Sequence, residues 1–254
     1  MLKKRIIPIQ LLLDGRLVKT VKFDKWRDVG DPVKSSSVYN SQYADELIFL
    51  NISRSDRTVQ SLAALIERVS KVSFMPMSMG GGINSEDDAA FLILNGADKV
   101  VINSSTYHKL DIIKSTSGRF GAQAVVVSID ASWDDQRGDY LLYSHCGQRA
   151  QHVSLEDHVR RVTEAGAGEI MIQSIDRDGT MTGYDIALIK RAMACSTIPV
   201  IAAGGSGNYE HLKAVFLETD ASAVACGSLF NFSDSNPIRA KAFLSNYGVN
   251  FKIV

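Results

Sequence analysis

Pro76-Met-Ser-Met-Gly-Gly-Gly82 and Pro199-Val-Ile-Ala-Ala-Gly-Gly-Ser-Gly207 share one plan: a proline, a short apolar run and a cluster of glycines. Their glycine runs, starting at Gly80 and Gly204, lie 124 residues apart. A second pair, Asp98-Lys-Val-Val-Ile-Asn-Ser-Ser and Asp220-Ala-Ser-Ala-Val-Ala-Cys-Gly-Ser, is offset by 122. Outward from these anchors, short runs rich in Val and Ile alternate with longer segments of helical periodicity, the pattern of parallel strands joined by crossover helices. The runs are 6–13, 46–52, 74–79, 99–103, 124–130, 169–174, 198–203 and 221–225. Eight such strands close a barrel. The expected fold is therefore α/β, a single (β/α)8 TIM barrel over residues 1–254. The internal period makes it two duplicated half-barrels, about 1–120 and 121–254.

Local signals agree. Val59, Leu62, Ala63, Ile66 and Val69 recur at steps of three and four, giving 58–72 one apolar stripe to lay on a sheet. Ser85 followed by Asp88 has the form of a capping box, Gly96 suits a helix end, and Asp185 suits a helix start. Two stretches break the rhythm and are expected as long loops after strands, 14–31 and 131–152.

The 28 Lys plus Arg balance 28 Asp plus Glu over 254 residues, so no global basic surface is available for nucleic acid or an anionic membrane. A 45% hydrophobic content excludes a disordered chain. Residues 1–5 are basic, but the apolar stretch after them ends at Asp14 without a cleavage site, and no apolar run approaches the roughly 20 residues a membrane span needs. Three widely spaced cysteines fit the reducing cytoplasm. With no CxxC pair and no HxxxH, neither metal nor other cofactor is expected.

Glycines at a strand end let backbone amides approach an anion, and a following helix N-terminus adds positive potential. Each half supplies two such loops: Gly81 and Gly82 with Asn103 and Ser104, then Gly204 and Gly205 with Gly227 and Ser228. The second set holds the usual phosphate position of barrel enzymes. The expected ligand is a small molecule phosphorylated at both ends. The alternative is that these glycines only make tight turns. His145-Cys146 reads as a loop detail, Trp26 and Trp133 as surface packing or a cover over substrate, and the basic run Lys19, Lys22, Lys25 and Arg27 as a solvated loop face.

Over nearly its whole length the chain resembles the cyclase subunits of imidazole glycerol phosphate synthase, in the histidine-biosynthesis barrel family. The resemblance rests on Lys3-Lys-Arg-Ile-Ile, Asp14-Gly-Arg-Leu-Val-Lys, Gly30-Asp-Pro, Gly80-Gly-Gly-Ile, Gly96-Ala-Asp-Lys-Val, Phe120-Gly-Ala-Gln-Ala-Val-Val-Val-Ser-Ile-Asp, Ser174-Ile-Asp-Arg-Asp-Gly-Thr and Gly204-Gly, in that order. It implies a barrel that receives ammonia from a glutaminase subunit, as a heterodimer. The ammonia is added to a bisphosphorylated ribulosyl imidazole-carboxamide precursor, giving imidazole glycerol phosphate and an aminoimidazole ribotide.

The resemblance also assigns residues. Asp130 is one catalytic carboxyl, but the other position, on strand 1, is Leu11, which cannot transfer a proton. Asn51, Gln173 and Ala203 also depart from the family pattern. Lys19 matches a position on a mobile loop that closes over substrate, and Asp178 and Gly179 match the strand 6 loop; all three are implied to bind the phosphorylated substrate. Arg5, Glu46, Lys99 and Glu169 match a charged ammonia gate, with Asp98 and Gln123 in the docking face for the partner; a plain reading of those charges is a plug that stabilises the barrel bottom. The departures leave two other readings open: a diverged paralogue delivering ammonia for amidino-sugar synthesis on surface polysaccharide, and a non-catalytic ammonia conduit.

Overall fold

The computed structural model describes residues 3–53 and 58–252. Its barrel strands are β1 (Arg5–Leu13), β4 (Leu47–Asn51), β5 (Met77–Gly80), β6 (Lys99–Ile102), β7 (Val125–Asp134), β10 (Glu169–Ser174), β11 (Val200–Ala203) and β12 (Ala223–Cys226). Each pairs in parallel with the next, and β10 pairs with β7 while β12 pairs with β1, so the ring closes without an edge. The crossovers are α1 (Pro32–Ser41), α2 (Val59–Val69), α3 (Glu86–Leu94), α4 (Asp111–Phe120), α5 (Leu155–Glu164), α6 (Ile186–Cys195) and α7 (Tyr209–Glu218); α8 (Ser228–Phe232) and α9 (Pro237–Ser245) follow β12.

Strand alternation sorts the core into two layers. On β1, Ile7, Ile9 and Leu11 point into the barrel, where they meet Ile48, Val101, Val126, Met171 and Ile201. Ile6 and Leu12 point outward to the larger layer under the helices. Helix α2 buries Val59, Leu62, Leu65, Ile66 and Val69 there; each fully buried Leu or Ile stabilises the fold by about 1.5–3 kcal/mol, so Ile66→Asp would detach the helix. Leu65, rather than Ala63, completes the stripe. The capping box at Ser85 and Asp88 forms, and Asp185 caps α6.

Three expectations are corrected. Phe74 lies outside the third barrel strand and is exposed, because that strand begins after Pro76. The stretch 14–31 is a β-hairpin, β2 (Arg16–Val21) and β3 (Lys25–Gly30), with β2 antiparallel to β1. Its turn uses Lys22 and Phe23 at positive φ, without the Asn-Gly or Asp-Gly signal that marks such turns in sequence. The stretch 131–152 likewise continues β7 into β8 (Asp139–Ser144) and β9 (Arg149–Gln151). Both ribbons rise from C-terminal strand ends over the same mouth.

Candidate active site

A cavity of about 750 Å³ opens at that mouth. Its two sides differ in chemistry. Ser128 and Asp130 of β7, Asn103 after β6 and Gln173 of β10 make a polar side; Leu11 and Leu13 of β1 with Leu50 and Ile52 from the β4 end make an apolar one. The rim carries Phe23 and Trp26 from the hairpin and His145, Cys146 and Gln148 from the β8–β9 turn. His145 and Cys146 are in a turn, as expected, and that turn borders the cavity; Trp26 lines it while Trp133 packs edge-on against Tyr140.

Asp130 is buried, and its two oxygens are both held: Ser128 Oγ donates to Oδ1 at 3.0 Å and Asn103 Nδ2 donates to Oδ2 at 2.8 Å. Burial raises its pKa to about 7; the nearby Asp178 adds to the rise, and the Ser128 and Asn103 hydrogen bonds oppose it. A carboxyl so placed exchanges a proton near neutral pH. Leu11 is 7% exposed within the apolar side. Among the described residues lining the cavity, the other carboxylates, Asp14 and Asp24, sit exposed at its rim. Among the described residues lining this cavity, Asp130 is the one buried carboxyl, and Asp178 lies in the adjoining space.

The glycine loops converge as two sets. Gly81, Gly82, Asn103 and Ser104 line the large cavity. Gly81 has φ 96°, and a Cβ there would lie 2.2 Å from the Asn51 carbonyl oxygen, so only glycine fits. Asn103 and Ser104 are already engaged, the first with Asp130 and the second accepting from the His145 N–H at 3.0 Å. Gly204, Gly205, Gly227 and Ser228 line a second space of only about 20 Å³ together with Lys19, Asp178 and Gly179. That space is small because Lys19 fills it. Its ammonium donates to the Ile9 carbonyl beside Gly227, and burial lowers its pKa to about 8 against the pull of Asp178. Lys19 is thus no solvated loop residue: β2 turns it inward. Asp178 anchors the hairpin by accepting from Thr20 Oγ1 at 2.7 Å and the Phe23 N–H at 3.4 Å.

At the opposite end four charges form a closed ring. Arg5 meets Glu46 at 3.0 Å and Glu169 at 2.7 Å, and Lys99 meets the same two at 3.0 and 3.1 Å. Burial disfavours the Arg5 charge, but Glu169 and Glu46 outweigh it and raise its pKa. Ser78 Oγ donates to Glu46 at 2.5 Å. Asp98 and Gln123 lie exposed on this face just before β6 and β7; Asp98 accepts from the Met77 N–H at 2.8 Å, and Gln123 Nε2 donates to the Phe120 carbonyl at 3.0 Å. Ser128 and Thr20 escaped the reading of the sequence. The first was legible as the inward position two before Asp130, the second only once the hairpin register was known.

A (β/α)8 barrel with a near-neutral carboxyl and paired glycine loops at one end and a charge ring at the other has the layout of a barrel enzyme, its cavity at the C-terminal ends of the strands. Comparison with known proteins narrows this: the histidine biosynthesis protein family matches residues 5–235, and the chain belongs to that family. It is 40% identical over 252 residues, 99% of both chains, to imidazole glycerol phosphate synthase subunit HisF of Staphylococcus carnosus. It is 41% identical over 256 residues, the full length of both, to the subunit of the same name from Chlorobaculum parvum. Against that of Lactiplantibacillus plantarum it is 40% identical over 249 residues, 98% of this chain and 99% of the other.

Proposed function

We propose that the chain is the synthase subunit of a glutamine-dependent complex of histidine biosynthesis, working in the cytoplasm. Ammonia released by a glutaminase partner enters through the ring of Arg5, Glu46, Lys99 and Glu169, with Asp98 and Gln123 in the docking face, and rises along the barrel axis. At the mouth it adds to the bisphosphorylated ribulosyl imidazole-carboxamide precursor, whose phosphates occupy the loops of Gly81, Gly82, Asn103 and Ser104 and of Gly204, Gly205, Gly227 and Ser228. Asp130 takes and returns the protons. Lys19, with the loop of Asp178 and Gly179, lies in the second cradle and hands its place to the incoming phosphate, remaining as counter-ion. The observation that carries this reading is that one apolar interior connects the charge ring to a buried carboxyl with a pKa of about 7.

The test is direct. Incubation with the bisphosphate precursor and ¹⁵N-ammonium chloride should place one ¹⁵N in imidazole glycerol phosphate, read by mass spectrometry. Absence of the labelled product would contradict it.

Leu11 is the one departure that would carry a second reading, which the names of the relatives do not favour. With one buried acid and an apolar wall of Leu11, Leu13, Leu50 and Ile52, the site suits an acceptor that needs a single proton-transfer group, such as a sugar precursor converted to an amidino group. Failure of the histidine-pathway precursor to react, together with reaction in Leu11→Asp, would select that reading.

A further inference from the structure

Asp130 belongs to a small constellation of oxygen acceptors. Ser128 lies two residues before it on β7, so strand alternation turns both side chains into the barrel, and Ser128 is 4% exposed. The Ser128 proton is committed to Asp130 Oδ1 at 3.0 Å, which leaves the lone pairs of Oγ free to accept. Asn103, from the end of the adjoining strand, spends its Nδ2 on Asp130 Oδ2 at 2.8 Å while its Oδ1 is buried without a donor. An orphaned buried carbonyl at a cavity is a place where a ligand supplies the missing N–H or O–H. Below these groups the interior is apolar, through Val126, Met171 and Ile201, down to the ring. A small molecule rising along the axis meets its first free acceptors at Ser128 and Asn103. The buried Lys19 ammonium of the adjoining space is committed to the Ile9 carbonyl.

We infer that Ser128 Oγ and Asn103 Oδ1, with Asp130, form a receiving site that binds ammonia by its N–H groups and turns its lone pair toward the acceptor. The inference rests on the reading of the chain as an ammonia-using synthase subunit. Neutral ammonia has three donors and one lone pair, so holding two N–H groups fixes the direction of attack. The nitrogen lone pair forms the C–N bond with an electrophilic C=O or C=N carbon of the phosphorylated acceptor, and the π pair moves to its heteroatom. One proton leaves nitrogen along N–H···Oγ–H···Oδ1, with Ser128 passing its own proton to Asp130. Asp178 and Tyr107 are the other titratable groups acting with Asp130, and Lys19 balances Asp178.

Two readouts test this. In turnover with ammonium chloride, Ser128→Ala should raise KM for ammonium about tenfold, leave KM for the phosphorylated acceptor within twofold and move the acid limb of the pH profile upward, and Ser128→Thr should restore all three; Asn103→Ala, which also alters a phosphate loop, should raise KM for ammonium as well. Unchanged ammonium KM in both alanine variants overturns the inference. The second readout needs no acceptor: in the isolated chain, the Asn103 side-chain amide and Asp130 carboxyl NMR signals are followed at pH 9 against ammonium chloride, with potassium chloride as control. A saturable response to ammonium alone, lost in Ser128→Ala, supports the site even if the histidine-pathway precursor is not turned over. No response in the native chain overturns it.

Discussion

Asp130 and Lys19 face the mouth with protonation that burial moves close to neutral pH, one upward to about 7 and the other downward to about 8, and burial raises the neighbouring Asp178 as well. If the carboxylate is the base and the ammonium the phosphate counter-ion, kcat/KM rises as pH passes 7 and falls as it passes 8, a narrow bell that steady-state rates at fixed ionic strength will show. The sign for stability is the reverse of the usual carboxylate case. The folded state holds the Asp130 proton more tightly than the unfolded chain, whose value is the ordinary 3.8, so ionisation begins to destabilise the fold above pH 4 and does so fully above pH 7. Asp130→Asn should therefore stabilise by about 2–4 kcal/mol at pH 8 and by little at pH 4, in urea unfolding, while turnover falls by about 10²–10⁴-fold. Asn103 accommodates this variant by turning its unpaired Oδ1 toward the new amide. At Leu11 the expectation is opposite: Leu11→Asp buries a second carboxyl against Ile9 and Val18 and should cost about 2–4 kcal/mol at neutral pH, read as a lower urea midpoint.

At the scale of elements, phosphate entry as proposed requires the β2–β3 hairpin to yield. The Lys19 ammonium occupies the second glycine cradle, and the hairpin is pinned above it by Asp178 through Thr20 and Phe23. Thr20→Val removes a hydrogen bond to a charged acceptor, a contribution of about 1.5–3 kcal/mol to the docked state. Amide exchange over residues 16–30 should accelerate in that variant, with the barrel strands unchanged; equal protection would show that Asp178 is not the anchor. These elements also show what a sequence can reveal. Barrel strands and α2 were legible because burial on one or two faces imposes a period. The hairpin was not, because its turn residues Lys22 and Phe23 carry no turn signal and its register alone decides that Lys19 and Thr20 are inside. For the same reason the glycines of the candidate site were readable as a pattern, whereas the partnership of Ser128 and Asn103 with Asp130 depends on two strands meeting in space.

For the molecule as a whole, the zero net charge conceals two ends of different kind. One holds a mouth where an apolar wall faces a single acid; the other holds a ring in which each carboxylate touches both cations. Breaking a buried ion pair costs more than making it gains, because the partner left behind stays desolvated. Lys99→Met should lower stability by about 3 kcal/mol, and Asp98→Lys should abolish co-purification with a glutaminase while leaving ammonium-driven turnover intact. The central claim, that an ammonia-using synthase works here through one buried acid, is tested most directly by the rate of ammonium-dependent conversion of the bisphosphate precursor by the purified native chain and by Asp130→Asn between pH 5.5 and 9. The expected result is turnover by the native chain with an acid limb near pH 7, lost in the variant. Turnover that persists in Asp130→Asn, or a native chain inert at every pH, would contradict it.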